Sequence, residues 1–134
     1  MLHRTTAIAA GIAAALLVPA APAAADEAAA CQVAYSLSDD STGFTSHLQI
    51  TNVGTAWLYG WTLKFQLPAG QSLDHGWNAV YSESGGAVTS THLSWNRDVQ
   101  PRIGTVDLGF RGNGPGEAGE PTEFFINGLR CSTV

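Results

Sequence analysis

Apolar and polar residues alternate with a period of two over three stretches of this chain, the mark of strands with one buried and one wetted face. In residues 44–51, Phe44, Leu48 and Ile50 fall on one side, while Thr45, His47, Gln49 and Thr51 fall on the other. Residues 61–67 alternate more cleanly, with Trp61, Leu63, Phe65 and Leu67 inward. In residues 105–111, Val106, Leu108 and Phe110 are inward, and Asp107 and Arg111 outward. Weaker patterns predict further strands over 32–37, 87–93 and 123–129. Turn-forming residues punctuate these runs: Asn52-Val53-Gly54, Pro68-Ala69-Gly70, Gly85-Gly86 and a long loop over 112–121. Beyond Cys31 there is no helical repeat of apolar residues. Short strands so spaced predict an all-β sandwich or barrel.

The start of the chain follows a different pattern. Met1-Leu2-His3-Arg4-Thr5-Thr6 carries a positive charge, residues 7–21 are apolar, and Ala23-Ala24-Ala25 precedes Asp26-Glu27. That layout predicts a secretory signal peptide over residues 1–25. It is too short and alanine-rich to span a membrane. A short segment, 26–30, then leads into one expected domain, 31–134, without linker, second domain or internal repeat.

Charge narrows the partners. The formal net charge of −5 becomes −6 once Arg4 leaves with the leader, and only 13% of residues are charged. Such a chain lacks the basic stripe that nucleic acid requires, and an uncharged partner suits it better. Cys31 and Cys131 bracket the domain, and export makes a disulfide between them permissible. Their wide separation does not fit the close-paired spacing of zinc sites, so the disulfide is the expected use.

Two tryptophans stand apart from the alternation. Trp77 lies in the loop-like stretch Gly76-Trp77-Asn78, and Trp95, in Ser94-Trp95-Asn96, ends a polar strand. Trp61, on an apolar face, belongs to the core; Trp57, before Leu58-Tyr59-Gly60, has no clear place. An indole is a large amphipathic surface with few rotatable bonds, so holding it against a ligand costs little. Stacking one sugar face on it contributes on the order of 1–3 kcal/mol.

The order of several short pieces resembles a family 2 carbohydrate-binding module, the cellulose-binding kind of secreted actinobacterial glycosidases. They are Cys31-Gln32-Val33, Thr42-Gly43-Phe44-Thr45, Ile50-Thr51-Asn52, Gly60-Trp61-Thr62-Leu63, Leu67-Pro68-Ala69-Gly70-Gln71, Gly76-Trp77-Asn78, Trp95-Asn96, Gly109-Phe110, Pro121-Thr122, Phe125, Asn127-Gly128 and Cys131. The resemblance implies an immunoglobulin-like or jelly-roll sandwich of two antiparallel sheets, closed by a Cys31–Cys131 disulfide. It also implies a flat face bearing a row of exposed tryptophans, two of which match Trp77 and Trp95. Amide positions beside that row match His47, His75, Asp107 and Arg111, which implies hydrogen bonding to sugar hydroxyls. Gly43 agrees with the cellulose-binding branch, where the xylan-binding branch tends to carry arginine. The third ring is absent, because Asp40 occupies its place.

Enzymatic readings fare worse. A glycoside hydrolase needs two carboxylates across a cleft. Asp39, Asp40, Asp74, Asp98, Glu117 and Glu120 lie mostly in turns or outer loops. No Gly-x-Ser-x-Gly elbow is present. His47, His75 and His92 lack ligand spacing, so no metal and no cofactor is implied. The expectation is a secreted, extracellular, monomeric, non-catalytic protein that binds cellulose, a related β-1,4-glucan or chitin, with neither nucleic acid nor membrane as partner. The alternative is a secreted interaction or adhesion protein whose aromatic face meets a host glycan or protein.

Overall fold

The structure is a computed structural model and describes residues 30–134. The expected leader over 1–25 and most of the 26–30 segment lie outside the described residues. From Cys31 onward the chain forms β1 (Cys31–Asp40), β2 (Gly43–Asn52), β3 (Leu58–Tyr59), β4 (Thr62–Gln66), β5 (Ser72–Trp77) and β6 (Val80–Ser84). It continues through β7 (Ala87–Thr91), β8 (Asp98–Val99), β9 (Thr105–Asn113), β10 (Phe124–Ile126), β11 (Leu129–Arg130) and β12 (Ser132–Thr133). One sheet has the order β12-β1-β2-β9-β5 and the other β11-β10-β4-β7-β6, with β3 and β8 forming a small separate ribbon. Pairing is antiparallel throughout these sheets except at β12, which runs parallel to β1.

The alternation read from the sequence is the inside and outside of this sandwich. Phe44, Leu48 and Ile50 of β2 and Val106, Leu108 and Phe110 of β9 are buried, and they meet Trp61, Leu63, Phe65 and Leu67 from the second sheet. Burying this much aromatic surface is the main driving force of the fold. Phe65 sits at the centre, with ring centroids 5.8 Å from Phe110 and 5.5 Å from Phe124. Trp61 is fully buried, and its indole N–H donates to the Asn96 carbonyl at 2.8 Å. Cys31 and Cys131 form the disulfide.

Three element boundaries depart from the sequence pattern. Residues 123–129 hold most of a hairpin, β10 and β11 about the Asn127-Gly128 turn, and not one strand. β7 ends at Thr91, so Trp95 rides on the following turn and does not end a strand. Trp77 is the last residue of β5, not a loop residue. β5 and β6 are edge strands with no fully buried residue; in β6 one face (Val80, Ser82, Ser84) is exposed and the other (Tyr81, Glu83) half-buried, but the residue types do not follow that division. An irregularity in register between Leu73 and His75 further breaks the period in β5.

Candidate functional site

The outer face of the β12-β1-β2-β9-β5 sheet collects most of the candidate residues. Register places Ser36, His47, Gly109 and Trp77 side by side across β1, β2, β9 and β5. The next row on that face holds Ser38, Thr45, Arg111 and His75, and another row holds Ala34, Gln49 and Asp107. Because side chains on a strand alternate, all of these point away from the core.

Trp77 is half-buried because of what lies beneath it. A Cβ built on Gly109 would come within 2.4 Å of Trp77 Cζ2 and 2.6 Å of Cε2, so the indole occupies the space a side chain would need. The His47 ring meets its edge, with centroids 5.7 Å apart and planes at 61°. From below, the Tyr81 hydroxyl donates to the Gly109 carbonyl at 2.8 Å, fixing the strand on which the ring rests. Burial pushes the Tyr81 phenol well above its ordinary range, so it stays a donor at any physiological pH.

Trp95 is 68% exposed, at the tip of the turn between β7 and β8. The next residue, Asn96, is buried, and its side chain joins two pieces of backbone. Its Oδ1 accepts from the Leu93 N–H at 2.7 Å, and its Nδ2 donates to the Asn78 carbonyl at 2.6 Å. Asn78 has a left-handed φ of 63°, which asparagine tolerates better than most residues, and its own Nδ2 donates to the Asp107 carbonyl at 2.9 Å. Thus a chain of amides fastens the Trp95 turn to the residue following Trp77. Sequence reasoning noted the two Trp-Asn pairs for their rings and missed the asparagines as the clamp.

The remaining candidates are less free than expected. Arg111 Nη1 donates to Asp40 Oδ2 at 2.5 Å, and Nη2 donates to Asp40 Oδ1 at 2.9 Å and to Thr42 Oγ1 at 2.6 Å. The Asp40 carboxylate also accepts from the Thr42 N–H and hydroxyl. These bonds, the guanidinium first, hold the Asp40 carboxyl far below the usual range and raise the Arg111 pKa in return. The position where a third ring was expected is therefore an ordered ion pair at the β1–β2 turn. His75 is exposed, with Nδ1 3.1 Å from Asp74 Oδ2, and exposed Asp107 accepts from Gln49 Nε2 at 3.2 Å. An open groove of about 400 Å³ passes over Ala34, Ser36, His47, Gln49 and Asp107 beside the Trp77 row. Trp57, unplaced by sequence, is exposed and stacks on Tyr59, with centroids 6.2 Å apart and planes within 13°.

A family model described as a cellulose binding domain matches residues 31–131. The chain belongs to that family. Exoglucanase B of Cellulomonas fimi is 43% identical over 102 residues, covering 76% of this chain but 9% of the enzyme. Endoglucanase CelA of Streptomyces lividans is 42% identical over 110 residues, or 81% of this chain and 24% of the enzyme. A protein of Mycobacterium bovis named as cellulose/chitin binding is 39% identical over 87 residues, 65% of this chain and 61% of that protein. This chain thus spans 9–12% of the length of three C. fimi glucanases that it matches. Among solved structures, the chitin-binding domain of Chi18aC from Streptomyces coelicolor is 29% identical, with a TM-score of 0.62 over 76% of this chain and 94% of that one. The cellulose-binding family 2 domain from ScLPMO10C is 31% identical, with a TM-score of 0.55 over 73% and 94%.

Proposed function

We propose that this domain binds the face of an insoluble β-1,4-linked polysaccharide, cellulose or chitin, by stacking sugar rings on Trp77 and Trp95. The observation that carries the reading is the amide clamp, which fastens an exposed indole to the strand end that carries a second, sheet-seated one. Rings held before the ligand arrives lose little freedom on binding. His47, His75 and Asp107 stand on the same outer face and supply hydrogen bonds to hydroxyls, while Arg111 shapes the end of the face through its pair with Asp40. The domain acts without breaking bonds. Secretion agrees with the disulfide and with the leader read from the sequence. The relatives whose names include cellulose or chitin binding support the ligand class.

Depletion of the oxidised protein onto microcrystalline cellulose, amorphous cellulose and chitin tests this. A Trp77→Ala, Trp95→Ala double variant should stay folded and lose about a hundredfold in affinity, from two rings worth ~1–2 kcal/mol each. Retention equal to the wild type on every solid would refute the platform.

A further inference from the structure

A second aromatic surface lies outside the face just described. In the ribbon of β3 and β8, Leu58 turns inward onto the core opposite buried Val99, so Trp57 and Tyr59 both turn outward. They are 47% and 70% exposed, and their rings are parallel within 13° at a centroid distance of 6.2 Å. That distance is near the upper end for aromatic pairs, so the rings are slipped and much of their faces stays in water.

The ribbon is held from both ends. Asn52 is fully buried, and its Nδ2 donates to the Ala56 carbonyl at 2.9 Å and to the Val99 carbonyl at 3.0 Å. Its Oδ1 accepts from the Gly54 N–H at 3.0 Å, which fixes the loop leading into Trp57. On the far side of Tyr59, the Gly60 N–H donates to the Arg97 carbonyl at 2.9 Å. A buried side chain thus makes two hydrogen bonds to the loop that carries Trp57 and one to β8. Tyr59 lies opposite Asp98, three residues beyond Trp95, so the ribbon continues from the turn that carries that ring.

We propose that Trp57 and Tyr59 form a second sugar-stacking platform that takes the same uncharged β-linked glycan. The proposal rests on the polysaccharide-binding reading above. Two rings at these exposures offer roughly 250 Å² of open aromatic surface. A stable protein interface needs about 800 Å² from each partner, whereas a glycan needs only a ring face and nearby hydrogen-bonding groups. Half-exposed Arg97 and Asp98 supply the latter. Neighbouring contacts on one insoluble polymer reinforce one another, since the second forms at high effective concentration.

The test follows the tryptophan indole N–H signals by NMR as soluble cellohexaose or chitohexaose is added to the oxidised protein. The Trp57 signal should move, and in the Trp77→Ala, Trp95→Ala background it should still move. A Trp57→Ala, Tyr59→Ala variant should lose about tenfold in retention on the preferred solid. If Trp77 and Trp95 respond, Trp57 stays still and the variant is retained normally, the second platform is wrong and the first stands. If retention survives loss of Trp77 and Trp95 and disappears only with Trp57 and Tyr59, the second platform stands and the first is wrong. No response and no retention anywhere removes both. A Trp57 signal that moves with protein concentration alone would assign the surface to a second copy of the chain and overturn the proposal.

Discussion

Replacing Asn96 by alanine should separate the clamp from the rings it serves. The substitution removes the acceptor for the Leu93 N–H and the donor to the Asn78 carbonyl, bonds of 2.7 and 2.6 Å made by a residue only 8% exposed. Both bonds are partly buried, so each orphaned partner costs ~1–2 kcal/mol, or about 2–4 kcal/mol together. The Trp61 indole keeps its bond to residue 96, because that bond uses the main-chain carbonyl. For a domain of this size the loss corresponds to a fall in Tm of about 10–20 °C. Urea unfolding followed by circular dichroism would measure it, and the slope with denaturant should be unchanged if only the folded state is affected. At a temperature where both proteins are folded, retention on cellulose or chitin should also fall about tenfold, because a freed Trp95 turn must be ordered on binding. A loss below about 0.5 kcal/mol with retention intact would refute the idea that Asn96 positions the face.

Two further outcomes are expected. Gly109→Ala puts a methyl group 2.4 and 2.6 Å from Trp77 Cζ2 and Cε2 and 2.7 Å from the Ser46 carbonyl, so the indole must lift and β9 must shift against β2; retention should fall about tenfold and tryptophan emission should shift red, whereas an unchanged spectrum would show that the ring has room to spare. The Asp40 carboxyl has a lowered pKa in the folded state, so its pair with Arg111 stabilises fully above the unfolded value of about 4 and progressively less as pH falls toward the folded value. The stability difference between wild type and Asp40→Asn should therefore be constant from about pH 6 to 8 and shrink below about pH 4; a difference flat through acid would refute the pairing.

What could be read from the sequence is what repeats along one strand. β2, β4 and β9 are each buried on one face only, so the period of two in Phe44-Leu48-Ile50, Trp61-Leu63-Phe65 and Val106-Leu108-Phe110 survives as a clean signal. It also turned His47, Asp107 and Arg111 outward correctly. β5 and β6 were invisible because these edge strands bury no residue fully, β5 is broken by its irregularity and β6 puts Val80 outside and Glu83 on its inner face, and Gly76 and Gly109 reveal their role only when the Tyr81 and Trp77 rings are found against them. The amide links from Asn96 to Asn78 and from Asn52 to Val99 join residues 18 and 47 positions apart, and nothing local to either asparagine announces its partner. The same holds for Asp40, which sequence marks only as a missing ring and which folding brings to an arginine 71 residues away.

The pairing of Cys31 with Cys131, whose Cα atoms are 4.7 Å apart, has a mechanical consequence. A pull applied between the two ends of the folded domain loads β12 against β1 and then runs through the covalent bridge, leaving the strands between the two cysteines unloaded. Of the described residues, 30 and 132–134 lie outside the bridge. Both ends also leave from β1 and β12, across the sheet from β5, where Trp77 is seated. A domain anchored to a solid through its aromatic face would thus be tugged from the opposite margin, and no stretch of its chain could be drawn out between the two points of departure.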